Sequence, residues 1–208
     1  MGRMRDVRIG AIGDSFVAGV GDPEHLGWVG RLAAASHRDG LPLTLYNLGI
    51  RRDTTRDVLS RWRRELPLRL RVPGGGPIEA RVVVGVGVND TTASPGTHGP
   101  SSRVGPAASA AHLEMLLGEL SDLGWPVFVA GPPPVADPEQ TARIADLDAR
   151  FAGVCAGLGV TYAPVLGALA EDPVWTAEVA AGDGAHPGAG GYARLAEIVT
   201  GAWREWLR

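Results

Sequence analysis

Lysine is missing from this 208-residue chain, so all 20 basic residues are arginines and lysine-nucleophile or Schiff-base chemistry is excluded. Cysteine occurs once, as Cys155, which rules out an intrachain disulfide and leaves no cysteine pair for a metal site. Its neighbours Phe151, Val154 and Leu158 suggest a buried helix face rather than a reactive thiol. Positive charge is not in excess either. The formal net charge is -3, and apart from Arg61, Arg63 and Arg64, read as a solvated helix face, the arginines are scattered, so no nucleic-acid footprint emerges. No run approaches the roughly 20 apolar residues that cross a bilayer. Met1–Arg8 leads into an apolar strand with no signal-peptide core, which makes a cytoplasmic location the expectation. Linkers and internal repeats are lacking too, so one domain over residues 1–208 is expected.

What is present is alternation. Short apolar runs at Val7–Ile12, Leu43–Leu48, Val82–Val88, Val127–Ala130 and Val160–Tyr162 read as strands buried on both faces. Helical patterns lie between and after them at Leu26–His37, Thr54–Leu66, Pro106–Leu123, Pro138–Leu158 and Pro187–Trp206. Strand and helix in turn mean crossover units: an α/β chain with a five-stranded parallel sheet covered by helices on both faces. Asp53 and Thr54 offer capping oxygens, while Pro106, Pro138 and Pro187 suit first-turn positions. Thr91–Gly105 is the longest stretch without apolar period and reads as a rim or lid. The last turn, with Trp203, Trp206 and Leu207, suits either docking on the core or a dimer contact, so the chain is expected as monomer or homodimer.

Four polar features fall at strand ends or near the start of the final helix, the edge where such sheets bind ligands. Gly13-Asp14-Ser15 follows the first strand, so the Ser15 hydroxyl is exposed to a ligand with its backbone N–H pointing the same way. Val17 stands where a nucleophile elbow needs its second glycine, which disfavours the ordinary α/β-hydrolase pattern. Asp183-Gly184-Ala185-His186 precedes the final helix. Its two small central residues let the carboxylate reach back to the imidazole and hold its tautomer. His25, His37, His98 and His112 have no aspartate at this spacing in a comparable Gly-rich loop; His25, near Asp22 and Glu24, is the closest competitor and reads as the entrance to the first helix. Gly87-Val88-Asn89-Asp90 ends the third strand, where the Asn89 amide can donate to a developing oxyanion. Asn47-Leu48-Gly49 ends the second, and Gly49 could present a further N–H.

Taken in order, Gly-Asp-Ser at 13–15, the glycine at 49, Gly-x-Asn-Asp at 87–90 and Asp-x-x-His at 183–186 resemble the GDSL, or SGNH, hydrolase family over nearly the whole chain. The resemblance implies a flavodoxin-like three-layer α/β/α sandwich and a serine carboxylic ester hydrolase. It implies Ser15 as nucleophile, His186 as base then acid, Asp183 as its orienting partner, and Ser15, Gly49 and Asn89 as oxyanion donors. Asp14 would brace the loop. The implied partner is a small-molecule ester, with no metal or organic cofactor, no nucleic acid and no membrane span. Phe16 replaces the leucine of the family name and is expected to pack inward. Short-chain or acetyl esters are the expected substrates. Alternatives are an acyl groove lined by Phe16, Val17, Val20 and Trp28, as a lysophospholipase or thioesterase would need, and a non-catalytic small-molecule-binding domain.

Overall fold

The computed structural model describes residues 5–71, 77–93 and 102–208. Its strands are β1 (Val7–Gly13), β2 (Leu43–Gly49), β3 (Glu79–Gly85), β4 (Val127–Ala130) and β5 (Thr161–Ala163). They form one parallel sheet in the order β2-β1-β3-β4-β5. This is the flavodoxin-like order, in which successive crossovers change direction between β1 and β3 and open a crevice at the carboxyl ends of those strands.

The helices are α1 (Ser15–Ala18), α2 (Gly27–Arg38), α3 (Thr55–Leu70), α4 (Pro106–Asp122), α5 (Pro138–Leu158), α6 (Leu166–Ala170), α7 (Pro173–Ala181) and α8 (Ala189–Trp206). Alternate strand residues face opposite sides. Ile9, Ala11, Val83 and Phe128 pack with α2 and α8, whereas Ile12, Val82, Val84 and Val129 pack with α3, α4 and α5. Each fully buried Leu, Ile or Phe contributes roughly 1.5–3 kcal/mol relative to exposure. Trp203 and Trp206 are buried in the first cluster with their rings against Phe128. Docking therefore accounts for the apolar last turn. Cys155 lies on the buried face of α5, and burial pushes its thiol up to about 12, which leaves it unreactive.

Several boundaries differ from expectation for identifiable reasons. β3 begins at Glu79 and stops at Gly85, although Val86 and Val88 remain buried. The apolar run continues into a turn beneath the crevice, where burial no longer implies pairing. α3 runs through Pro67 to Leu70, whose side chain is buried with that of Leu66. α8 starts at Ala189 with Gly188 as its cap, so Pro187 lies outside the first turn. The short helices α6 and α7 have no counterpart in the sequence reading. Asp172-Pro173 carries the signal for α7: the Asp172 carboxylate caps Val174 and Trp175, just as Asp137 caps α5 ahead of Pro138. Of the Thr91–Gly105 segment, residues 94–101, His98 among them, lie outside the described residues. Its two ends are joined by an Ala93–Ser102 bridge and by Arg103 N–H donating to the Thr92 carbonyl at 2.9 Å.

Candidate active site

Gly13 pairs with Gly49 on one side and Gly85 on the other, so three glycines lie abreast at the carboxyl edge of the sheet. A side chain at Gly13 has no room: its Cβ would sit 1.9 Å from the Gly85 carbonyl oxygen. The chain leaves β1 by Asp14, whose carboxylate caps α1 by accepting the Phe16 N–H at 2.9 Å. Ser15 opens that helix, where a backbone N–H has no partner within the helix. Phe16 and Val17 then turn inward and are buried. Asn47 clasps this turn, donating to the Val17 carbonyl at 2.7 Å.

The final helix brings the second part. His186 Nε2 lies 2.7 Å from Ser15 Oγ, and His186 Nδ1 lies 2.7 Å from Asp183 Oδ2. The other Asp183 oxygen accepts the N–H groups of Ala185 at 3.0 Å and His186 at 2.9 Å. Burial alone would raise the Asp183 carboxyl, but the N–H groups and ring of His186, with Ala185 N–H, outweigh it and hold it down at about 2. The carboxylate is thus held in its charged form well below neutral pH. Gly184 at φ 81 lets the loop fold back, and its carbonyl accepts the Ala136 N–H at 2.8 Å. The Phe16 ring supports the imidazole from beneath, with centroids 4.9 Å apart.

Asn89 stands on the turn that follows β3. Its amide donates to the Asp53 carbonyl at 3.0 Å, which uses one of two N–H bonds and fixes the side-chain plane. The Gly49 N–H donates to Asn47 Oδ1 at 3.0 Å at the strand end. Close packing also requires glycine there, since a Cβ would lie 2.2 Å from the Ala18 nitrogen.

Beneath Asn89 lies a buried network. Asp90 accepts the hydroxyls of Thr55 at 2.6 Å and Ser109 at 2.7 Å, together with the Thr55 N–H, and burial raises its carboxyl. Burial also pushes Asp14 up to about 8, against the Phe16 N–H bond and with help from the Asp90 and Asp53 charges. Asp14 Oδ2 is buried without a partner, consistent with a neutral acid there at pH 7.

The sequence reading missed Arg61. Far from being a solvated face, it is largely covered, pairs with Asp53 at 2.6 Å and Glu65 at 2.9 Å, and donates to the Gly13 carbonyl at 2.9 Å. It ties the start of α3 to the strand end that carries Ser15. The signal was partly available: Asp53 stands one residue before the Thr54 cap, and Arg61, in the second turn of α3, has a side chain long enough to reach back to it. The proposed acyl groove also changes. Phe16, Val17 and Trp28 are buried core residues, and of the four only Val20 remains partly exposed. His25, at φ 57, lies just ahead of α2 and away from this relay.

Such a crevice, on such a sheet, defines the class: a carboxylic ester hydrolase built on the flavodoxin-like scaffold. More particularly, the chain belongs to the GDSL-like Lipase/Acylhydrolase family, whose model matches residues 11–194. Solved structures share the fold. A lipase/acylhydrolase from Enterococcus faecalis is 24% identical with a TM-score of 0.74, covering 97% of this chain and 97% of its own. Axe2, an acetylxylan esterase from Geobacillus stearothermophilus, is 20% identical with a TM-score of 0.74, covering 97% of this chain and 96% of its own. LAE5, an alpha/beta hydrolase enzyme from the metagenome of Lake Arreo, Spain, is 20% identical with a TM-score of 0.73, covering 94% of each chain. No curated protein matches the sequence. Among the described residues no helix is long and apolar enough to cross a membrane.

Proposed function

We propose that the protein hydrolyses short-chain or acetyl esters through an acyl-enzyme on Ser15. The observation that carries this reading is the unbroken relay Ser15 Oγ, His186 Nε2, His186 Nδ1 and Asp183 Oδ2, with both links at 2.7 Å. Neutral His186 donates Nδ1–H to Asp183, so Nε2 is left to take the Ser15 proton as Oγ attacks the ester carbonyl. The Ser15 backbone N–H and the second Asn89 amide N–H face the developing oxyanion. As the tetrahedral intermediate collapses, Nε2–H protonates the departing alcohol. Water, deprotonated by the same nitrogen, then releases the acid and regenerates Ser15.

Burial of Phe16, Val17 and Trp28 supports a short acyl group, because the residues best suited to line a groove are used by the core. The acetyl ester named for Axe2 is in keeping with this. One observation favours a longer chain. An apolar cavity of about 350 Å³ lies between the segment after β4 and helix α7, lined by Val135, Ala136, Trp175 and Val179. Ala136 is itself bonded to the catalytic loop at Gly184.

Turnover of p-nitrophenyl acetate and octanoate by wild type, Ser15→Ala and His186→Ala tests both readings. Acetate hydrolysis that disappears in both variants is the expected result. A wild type inert to both esters and to a serine-directed organophosphate would sink the catalytic role of Ser15. An octanoate rate above the acetate rate would move the substrate class to long-chain acyl esters.

A further inference from the structure

The two lips of the crevice carry opposite charge. On the His186 side stand Asp183 and Glu178, the latter engaged with the Gly190 and Gly191 N–H groups at the start of α8. On the Asn89 side stand Arg51, Arg52, Arg56 and Arg103, all exposed. None of these four forms an ion pair among the described residues. Two carboxylates lie close by. Asp53 is paired with Arg61. Asp57 is turned to the Thr54 hydroxyl and N–H, with Arg103 and Arg56 acting on it only at longer range. The lip is therefore cationic in a chain whose net charge is -3.

Two of these arginines are placed, not merely present. Arg103 Nη1 donates to the Arg52 carbonyl at 3.1 Å. The next carbonyl along the chain, that of Asp53, is the one that holds the Asn89 amide. The guanidinium is thus anchored one peptide unit from the group that orients a candidate oxyanion donor, and it forms no ion pair among the described residues. Arg52 itself sits at φ 70. Glycine fills that left-handed region without steric conflict, whereas a long side chain there is disfavoured. The loop carries an arginine at the very residue where the backbone favours none.

We propose that Arg52 and Arg103 form an anion-binding rim that selects esters carrying a carboxylate or phosphate group. The inference rests on the Ser15 ester-hydrolase reading and names its substrate class. A guanidinium presents a planar fork of donors that matches either anion, and unpaired arginines lose no existing ion pair when one binds. The acidic lip repels the same anion, so the field across the crevice orients the ester with its charge toward Arg52 and Arg103.

The test compares kcat/KM for ester pairs in wild type, the Arg52→Gly/Arg103→Gln double variant and the Arg52→Lys/Arg103→Lys double variant. Phenyl acetate is set against 4-acetoxybenzoate and 4-acetoxyphenyl phosphate, which place the anion on the alcohol. p-Nitrophenyl butyrate is set against mono-p-nitrophenyl glutarate, which places it on the acyl group. In wild type at low salt we expect at least one anionic ester to show a KM about tenfold below its neutral partner, the gap closing at high ionic strength. The Gly/Gln variant should lose that preference and its salt dependence, and the Lys variant should restore most of both. Arg52→Gly relieves the left-handed backbone, so melting temperature should not fall. Whichever anion is preferred separates carboxylate from phosphate. Equal KM values for every pair in wild type overturn the inference, as does a preference that survives the Gly/Gln substitutions. Failure of the underlying reading looks different: neutral phenyl acetate would then be turned over no faster by wild type than by Ser15→Ala.

Discussion

The two lips of the crevice are built in contrasting ways. On the His186 lip every reactive atom has a partner, and side chains from β1's exit turn and the loop before α8 meet in one relay. On the Asn89 lip the polar groups are held through backbone carbonyls, Asp53 for Asn89 and Arg52 for Arg103, while the exposed arginines form no ion pair among the described residues. Proton transfer, proposed for the first lip, demands fixed donor and acceptor atoms. Receiving charge, proposed for the second, demands donors not yet in use.

That contrast orders the expected effects. Ser15→Ala and His186→Ala should each lower kcat by at least about 10⁴-fold in steady-state assays, since the relay acts as a unit. Loss of much less from either would place the chemistry elsewhere. Asn89→Ala should lower kcat by about 10²–10³-fold with KM little changed, because an oxyanion donor acts in the transition state. If KM rose instead while kcat held, Asn89 would be a ground-state binding residue.

Arg61→Ala tests whether the lips are mechanically joined. It strands the Asp53 carboxylate and leaves the Gly13 carbonyl only the Ile50 N–H, so about 2–4 kcal/mol of unfolding free energy should disappear in urea titrations. A smaller fall in kcat, about tenfold, should accompany it. Stability lost with kcat untouched would show that Arg61 supports the fold without positioning Ser15.

A further prediction concerns pH. Asp14 has its folded value raised to about 8 from a reference of 3.8, so the folded state holds the proton more tightly than the unfolded chain. Its contribution favours folding below about pH 4 and is lost as pH rises toward 8. The melting temperature of Asp14→Asn relative to wild type should therefore climb between pH 4 and 8 and level off above. A difference independent of pH would mean that Asp14 is ionised throughout. Asp183, held at about 2, works in the opposite sense: its contribution is present above the unfolded carboxylate range and fades only as pH falls toward 2.

Much of the architecture was legible because it depends on local pattern. Runs of Val, Ile and Leu separated by amphipathic stretches specify crossover units wherever they occur, and β1, β2 and β4 lie where their apolar runs do. Periodicity was less informative where burial and pairing part company. Val86 and Val88 look like strand residues yet belong to a turn, and α7 is buried through Trp175 and Val179 without a clear amphipathic stripe. At the site, the residue types and their order along the chain could be read directly. The engagement of Gly49 N–H by Asn47 could not, because a motif names a residue without saying where its hydrogen bond goes.

By itself, then, the sequence determined the α/β class, the family blocks and the identity of the polar residues at the strand ends. Those are properties of short windows and of residue chemistry, which need no third dimension. Only the tertiary structure decided that Ser15 and His186, 171 positions apart, meet at 2.7 Å. It also decided that Arg61 turns under Gly13 instead of toward water, and that arginines without an ion pair among the described residues collect on one lip. Such outcomes depend on which surfaces the sheet brings together, and hydrogen-bond geometry across that distance is set by packing of the whole core.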